Sequence, residues 1–246
     1  MTTKLGIVSV AGRNSKNEEK DNQDFALSGS SALREIVIVC DGAGSTLYGA
    51  LGSKWLSHIV LKDLSSAQIS SESEFREIIL KSVNYFREVI KRLIKLYKLE
   101  VKIGEFATTL ILVSNESSQC SYVAHIGDGA CLFISETFKD TVFSSLPENG
   151  EYANQTYFIT DQNYETRLRT FVVTEAYSAC LIMSDGITPM ALKKNQPFWS
   201  FVSPILHFMK SKDNTTIAQA LSGVLTSESS MKVSSDDKSI GWIIKC

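Results

Sequence analysis

The amino-acid sequence predicts an α+β protein in which helices cover the outsides of packed β-sheets. Three observations carry that expectation. Apolar, β-branched runs recur from the first residues to the last, as strands bounded by turn-forming residues do. Two long helical stretches lie together in residues 49–99 instead of one after each strand, so the alternation that builds a doubly wound parallel sheet is missing. Two further helical stretches then precede a single closing strand.

Taken in order, Leu5–Ala11 and Phe25–Ser28 read as short strands, and Glu35–Cys40 is an apolar run suited to a strand buried on both faces. A turn, Asp41-Gly42-Ala43-Gly44-Ser45, leads into a helix over Gly49–Leu64, where Leu51, Trp55, Ile59 and Leu61 keep mostly helical spacing. Ser71 followed by Glu74 matches a capping box, and Phe75, Ile79, Phe86, Ile90, Leu93 and Tyr97 mark a long amphipathic helix over about Glu72–Leu99. Strands follow at Phe106–Ser114, Gln119–Ile126, Ala130–Ser135, Thr141–Ser145, Tyr157–Thr160, Thr170–Thr174 and Ala179–Met183, in a largely antiparallel meander. Phe198–Met209 and Thr215–Leu225 read as helices, the serine-rich Thr226–Ser235 as a loop, and Ser239–Lys245 as the closing strand.

The 246 residues are 43% hydrophobic, enough for one sizeable core, and no Gly/Ser/Pro-rich linker divides them, so residues 1–246 are expected to form a single domain. With 25 basic and 27 acidic residues the chain lacks the basic footprint of a nucleic-acid binder. The five cysteines, Cys40, Cys120, Cys131, Cys180 and Cys246, form no C-x-x-C pair, which points to a reduced, cytoplasmic setting. No run approaches the roughly 20 apolar residues of a membrane span, and the N-terminus lacks a signal-peptide stretch. Neither secretion nor membrane insertion is expected.

Chemistry concentrates where strands end. Three apolar strands run into Asp-Gly, at Asp41-Gly42, Asp128-Gly129 and Asp185-Gly186, and Asp236-Asp237 precedes the last strand. One Asp-Gly is most simply a hairpin turn. Several at the ends of neighbouring strands can bring carboxylates to one rim, where repulsion calls for a cation between them. Aspartates with few histidines suit Mg²⁺ or Mn²⁺ better than zinc.

Together the motifs Asn22-Gln23-Asp24, Val39-Cys40-Asp41-Gly42-Ala43-Gly44-Ser45, Ala107-Thr108-Thr109, His125-Ile126-Gly127-Asp128-Gly129, Met183-Ser184-Asp185-Gly186 and Ser235-Asp236-Asp237-Lys238-Ser239 resemble, in order and spacing, the protein phosphatase 2C family, especially its bacterial branch. The resemblance implies a four-layer αββα sandwich, two antiparallel β-sheets face to face between helix pairs. It also implies a metal-dependent phosphatase that hydrolyses phosphoserine or phosphothreonine in proteins with water activated between two cations about 3.5–4 Å apart. By motif match, Asp41 resembles the carboxylate bridging both metals, Gly42 the backbone carbonyl of that site, Asp185 and Asp236 further ligands, and Asp128 a ligand of a third, weaker metal. Asp24 joins Asp41 as a catalytic candidate.

For phosphate binding the family's early arginine is nearest to Arg13, which would also be catalytic, with Lys16 and Lys20 as alternatives because Arg13 stands farther than usual from Asn22-Gln23-Asp24. Cys40 reads as core, and His125 as a satisfied histidine. Two departures stand out: Gln23 where an acidic residue is common, and Ala43 where many eukaryotic relatives have a histidine. They define the alternative expectation, a catalytically impaired pseudophosphatase serving as an interaction module. A third, a β-protein whose Asp-Gly pairs are only turns, requires that the aspartates lie apart. Implied partners are phosphorylated proteins and a cognate Ser/Thr kinase, and the chain is expected to be a monomer. Pro147–Gln155 and Thr188–Pro197 are candidate substrate-contacting loops.

Overall fold

A computed structural model describes residues 3–14, 16, 18, 20–116, 120–148 and 156–246. Its strands are β1 (Thr3–Val10), β2 (Asp24–Ser30), β3 (Arg34–Asp41), β4 (Leu110–Glu116), β5 (Ser121–Ile126), β6 (Ala130–Ile134), β7 (Thr141–Ser145), β8 (Arg169–Val173), β9 (Ala179–Met183), the short β10 (Leu192–Lys193) and β11 (Gln196–Pro197), and β12 (Lys238–Lys245). Its helices are α1 (Gly49–Ser66), α2 (Glu72–Leu96), α3 (Tyr164–Arg167), α4 (Thr188–Ala191), α5 (Trp199–Ser211), α6 (Asn214–Leu225) and α7 (Glu228–Val233).

Two five-stranded antiparallel sheets, ordered β1-β12-β9-β6-β7 and β2-β3-β4-β5-β8, make up the centre. Alternation along β3 shows how they are held. Val37 and Val39 face the other sheet with Val123, Cys131, Phe133 and Ile182, while Ile36, Ile38 and Cys40 face α1 and α2 with Leu56, Phe75 and Phe86. Because both faces of β3 are covered, its sequence is apolar throughout, as a period of two demands when each side packs on something. On the far side, Leu206, Met209, Ile217 and Leu221 of α5 and α6 pack on Leu132, Leu181 and Trp242. The layering is the expected αββα.

The structure corrects several elements. Helix α1 is present, and its weak periodicity has a cause: Gly49, Gly52, Ser53 and Ser57 supply much of its buried face, and small residues carry no hydrophobic signal. Helix α2 stops at Leu96 rather than Leu99, because Lys98 turns to φ 50°, a left-handed conformation that ends a helix. Phe106–Thr109 is not strand: Ile103–Phe106 is a single 3₁₀ turn. Tyr157–Thr160 is likewise no strand, although the Ile159 amide bonds to the Thr108 carbonyl at 3.1 Å. The serine-rich Thr226–Ser235 contains α7, whose Ser227 hydroxyl caps the Ser230 amide. Thr188–Pro197 is not a loop but α4 and the β10–β11 hairpin. Of the other candidate loop, Pro147–Gln155, residues 149–155 lie outside the described residues, as does Gln119.

Candidate metal centre and active site

β3 and β5 of one sheet and β9 of the other end on the same side of the molecule, each delivering an aspartate just at or beyond its last residue. One carboxylate oxygen from each of Asp41, Asp128 and Asp185 lies within 4.8 Å of the others. They line a cavity of about 170 Å³ together with Gln23, Gly42, Thr109, Thr156, Asp236 and Asp237. The reading in which these Asp-Gly pairs are only turns is therefore overturned.

The backbone around Asp41 is clamped from both directions. The Asp41 amide donates to the Thr109 hydroxyl at 3.0 Å, and the Thr109 amide donates to the Asp41 carbonyl at 2.8 Å. Gly42 is required by packing: a Cβ there would stand 2.5 Å from the Gly49 carbonyl carbon and 2.6 Å from the Gln23 carbonyl oxygen. At Gly127 the backbone takes φ +118°, which a side chain resists, and this kink aims Asp128 away from β5.

The electrostatics are those of crowded acids. Burial, then the charges of Asp24, Asp185 and Asp128, push the Asp41 carboxyl well above the usual range. Burial first and then Asp128 and Asp236 raise Asp185 to about 6. Asp128 is also raised by burial, opposed by the hydroxyl of Thr156, which donates to its carboxylate. Besides carboxylates, the wall offers the Gly42 backbone and the Gln23 side-chain oxygen, which is buried with no hydrogen-bond partner. An all-oxygen donor set with an orphaned acceptor and mutually repelling acids fits a hard divalent cation.

Residues 11–226 match the family described as Protein phosphatase 2C. The chain belongs to that family. Serine/threonine-protein phosphatase 3 of Escherichia coli (strain K12) is 26% identical over 211 residues, covering 83% of this chain and 81% of that protein. Among solved structures, the serine/threonine phosphatase of S. agalactiae aligns with a TM-score of 0.70 at 16% identity over 100% of both chains. RsbX, solved in complex with magnesium, aligns with a TM-score of 0.60 at 12% identity over 99% of both. At those identities the structural likeness concerns the fold, and the fold agrees.

Within this phosphatase-family fold the remaining candidates separate. Asp236 reaches the cavity rim, but its side chain is 52% exposed and its carboxylate meets the Lys20 ammonium at 2.6 Å. Asp237 is buried and acts as a clip, accepting from the Gly12 amide at 2.7 Å and the Gln23 amide at 2.8 Å. Asp24 stands behind the cavity, 5% exposed, paired in register with Asp41, and accepts the Ser184 hydroxyl at 2.7 Å. That contact ties the two sheets together directly behind the acids. Burial, opposed by the Ser184 bond and reinforced by Asp237, raises the Asp24 carboxyl to about 7.

Arg13 lines a different, neighbouring cavity with Ser9, Gly12, Asn22, Thr226 and Met231. The cation at the acidic rim is Lys20, whose pKa is raised: burial lowers it, but the hydrogen bond and charge of Asp236, then Asp237 and Asp24, outweigh this. Lys16 is exposed. Cys40 is fully buried core, its thiol pushed up to about 12 by burial. His125 is buried, its Nδ1 at 2.7 Å from the Ser145 hydroxyl and 3.0 Å from the Arg169 guanidinium; burial and then Arg169 hold it neutral, well below the usual histidine range.

Sequence reasoning missed three contributors. Ser184 was signalled by a lone polar residue at the end of an apolar strand. Lys238, buried, donates to the Asp236 carbonyl at 2.8 Å, and its place directly after Asp236-Asp237 was the available clue. Thr156 had no sequence signal, because it reaches Asp128 from a distant segment.

Proposed function

We propose that the chain, acting as one catalytic domain over residues 1–246, hydrolyses phosphoserine or phosphothreonine in proteins. Asp41, the Gly42 carbonyl, Asp185 and Asp236 would hold two Mg²⁺ or Mn²⁺ ions, with Asp128 toward a third. The convergence of the Asp41, Asp128 and Asp185 oxygens within 4.8 Å carries the reading. Bound there, the cations would supply a lowered pKa for water and positive charge to neutralise the phosphate oxygens.

The chain's own residues do the positioning. Thr109 fixes Asp41 from both sides of its peptide unit, so that carboxylate is aimed before any ligand arrives. Asp24, through Ser184, holds the β9 end and hence Asp185 at a fixed distance. Lys20 is our candidate for the positive group facing the substrate phosphate, because its ammonium stands at the acidic rim whereas Arg13 faces another cavity. Ala43 offers no proton donor, so we assign protonation of the departing serine oxygen to solvent. No disulfide joins any of the five cysteines among the described residues, which supports a reducing, cytoplasmic setting.

The test is phosphate release from a phosphopeptide by purified protein with Mn²⁺ or Mg²⁺, with Asp41→Asn as the silent control. A wild-type chain inert toward phosphopeptides with either cation would end the reading. Calorimetry adds a second readout: Mn²⁺ uptake that disappears in Asp185→Asn.

A further inference from the structure

The stretch from Thr156 to Arg169 is fastened on two sides. Toward the acidic cavity, the Thr156 hydroxyl donates to the Asp128 carboxylate, Phe158 lines the wall, and the Ile159 amide donates to the Thr108 carbonyl at 3.1 Å. Away from it, helix α2 holds the backbone. The Arg87 guanidinium donates to the Ile159 carbonyl at 2.6 Å and to the Asp161 carbonyl at 3.0 Å, and Arg76 donates to the Leu168 and Glu165 carbonyls, both at 2.6 Å. Arg76 and Arg87 stand about three turns apart and therefore on one face of α2.

Asp128 lies beyond Ile126, the last residue of β5, and so outside the strand ladder. Contacts from elsewhere hold it instead. The Glu148 amide donates to the Gly127 carbonyl at 3.1 Å, and Glu148 is tied to Arg167 at 3.4 Å and Arg169 at 3.3 Å. Arg167 covers the Tyr157 ring at 4.1 Å, which seats the residue next to Thr156. The Thr156 hydroxyl occupies Oδ2 of the Asp128 carboxylate, so Oδ1 is left to serve a cation with the side chain already oriented. A hydrogen bond of this kind to a ligating carboxylate typically contributes about 10–100-fold in metal affinity.

We infer that Thr156 is a positioning residue for the cation at Asp128, and that Arg87 sets Thr156 in place, so that the outer helix α2 is coupled to the metal centre. The role rests on cations occupying the acidic cavity, as proposed above, and adds to that reading a hydroxyl that acts through Asp128. Ile159, fully buried, anchors the stretch a few residues from Thr156, and the Arg87 bond to its carbonyl fixes the direction in which the chain leaves that anchor. A threonine that only filled space would leave cation affinity untouched when replaced by valine, which has the same branched shape without the hydroxyl.

Calorimetry of the full chain with Mn²⁺ tests it, with circular dichroism confirming that each variant is folded. Asp128→Asn marks the uptake that depends on Asp128. That uptake should weaken about tenfold or more in Thr156→Val and recover in Thr156→Ser, which restores the hydroxyl. It should also weaken in Arg87→Ala but not in Arg92→Ala, an exposed arginine of the same helix. Unchanged or tighter uptake in Thr156→Val overturns the inference, as does a Thr156→Ser variant no better than Thr156→Val, an Arg87→Ala variant no weaker than Arg92→Ala, or a titration that Asp128→Asn leaves unaltered. A wild type that takes up no Mn²⁺ removes the metal reading itself and the inference with it, so the two failures are distinct.

Discussion

Strand β3 begins and ends on a charge, and the fold treats the two oppositely. At its start Arg34, 4% exposed, meets Glu116 at 3.2 Å and the Leu64 carbonyl at 2.6 Å. Glu116 in turn accepts the Ser114 hydroxyl at 2.7 Å. At its end Asp41 faces Asp24, Asp185 and Asp128, and among the described residues it has no ion pair with a basic side chain. A buried charge that holds the fold together is neutralised in place. One that awaits a ligand keeps its repulsion, and the fold's stability elsewhere must offset it.

The largest expected effect breaks the acidic end. Asp41→Asn should lower phosphate release by roughly a thousandfold, the equivalent of several kcal/mol of lost electrostatic stabilisation, while raising the melting temperature of the cation-free protein near neutral pH, because an amide can be buried there without the proton that the Asp41 carboxyl must take up. A variant that melts lower without metal would show that Asp41 is compensated after all. The opposite end predicts the reverse pattern: Glu116→Ala should destabilise by about 3 kcal/mol, since it strands the buried Arg34 guanidinium, and leave kcat unchanged in the folded fraction.

A pH series sharpens the contrast. Asp24 and Asp185 titrate near 7 and 6 in the fold, far above about 3.9 for an unfolded aspartate. The folded form therefore keeps protons that the unfolded chain has lost, and stability of the cation-free protein should fall as pH rises, by on the order of 1 kcal/mol per pH unit per group, from about 4 to 6 for Asp185 and from about 4 to 7 for Asp24. Thermal melts with and without Mn²⁺ check this, the cation flattening the slope; a melt curve without Mn²⁺ that rises over this window would contradict it. The smallest effect concerns the rim. Lys20→Ala should raise KM for a phosphopeptide about tenfold, with Arg13→Ala changing it less; the reverse order would return phosphate binding to Arg13.

How far the sequence could be read depended on whether the signal was local. Asp41, Asp128 and Asp185 were legible because an apolar strand running into Asp-Gly is a contiguous pattern. The core face of α2 was legible because large side chains recur at helical spacing. Helix α1 was harder, since Gly49, Gly52, Ser53 and Ser57 bury backbone-rich surface, and α7 was hidden because serine is a poor helix interior but a good cap. Between Arg13, Lys16 and Lys20 the sequence left the choice open, because all three lie on one irregular segment whose path no periodicity constrains.

By itself, then, the amino-acid order determined which residues end the strands and which faces are apolar, because backbone geometry imposes periods of 2 and 3.6 on any chain. Only the packing of the two sheets decided that β3, β5 and β9 deliver their aspartates to one cavity, that Asp237 clips while Asp236 meets Lys20, and that Asp24 supports from behind. Those outcomes depend on distances between residues far apart in the chain, which packing of the whole core sets and no local pattern records.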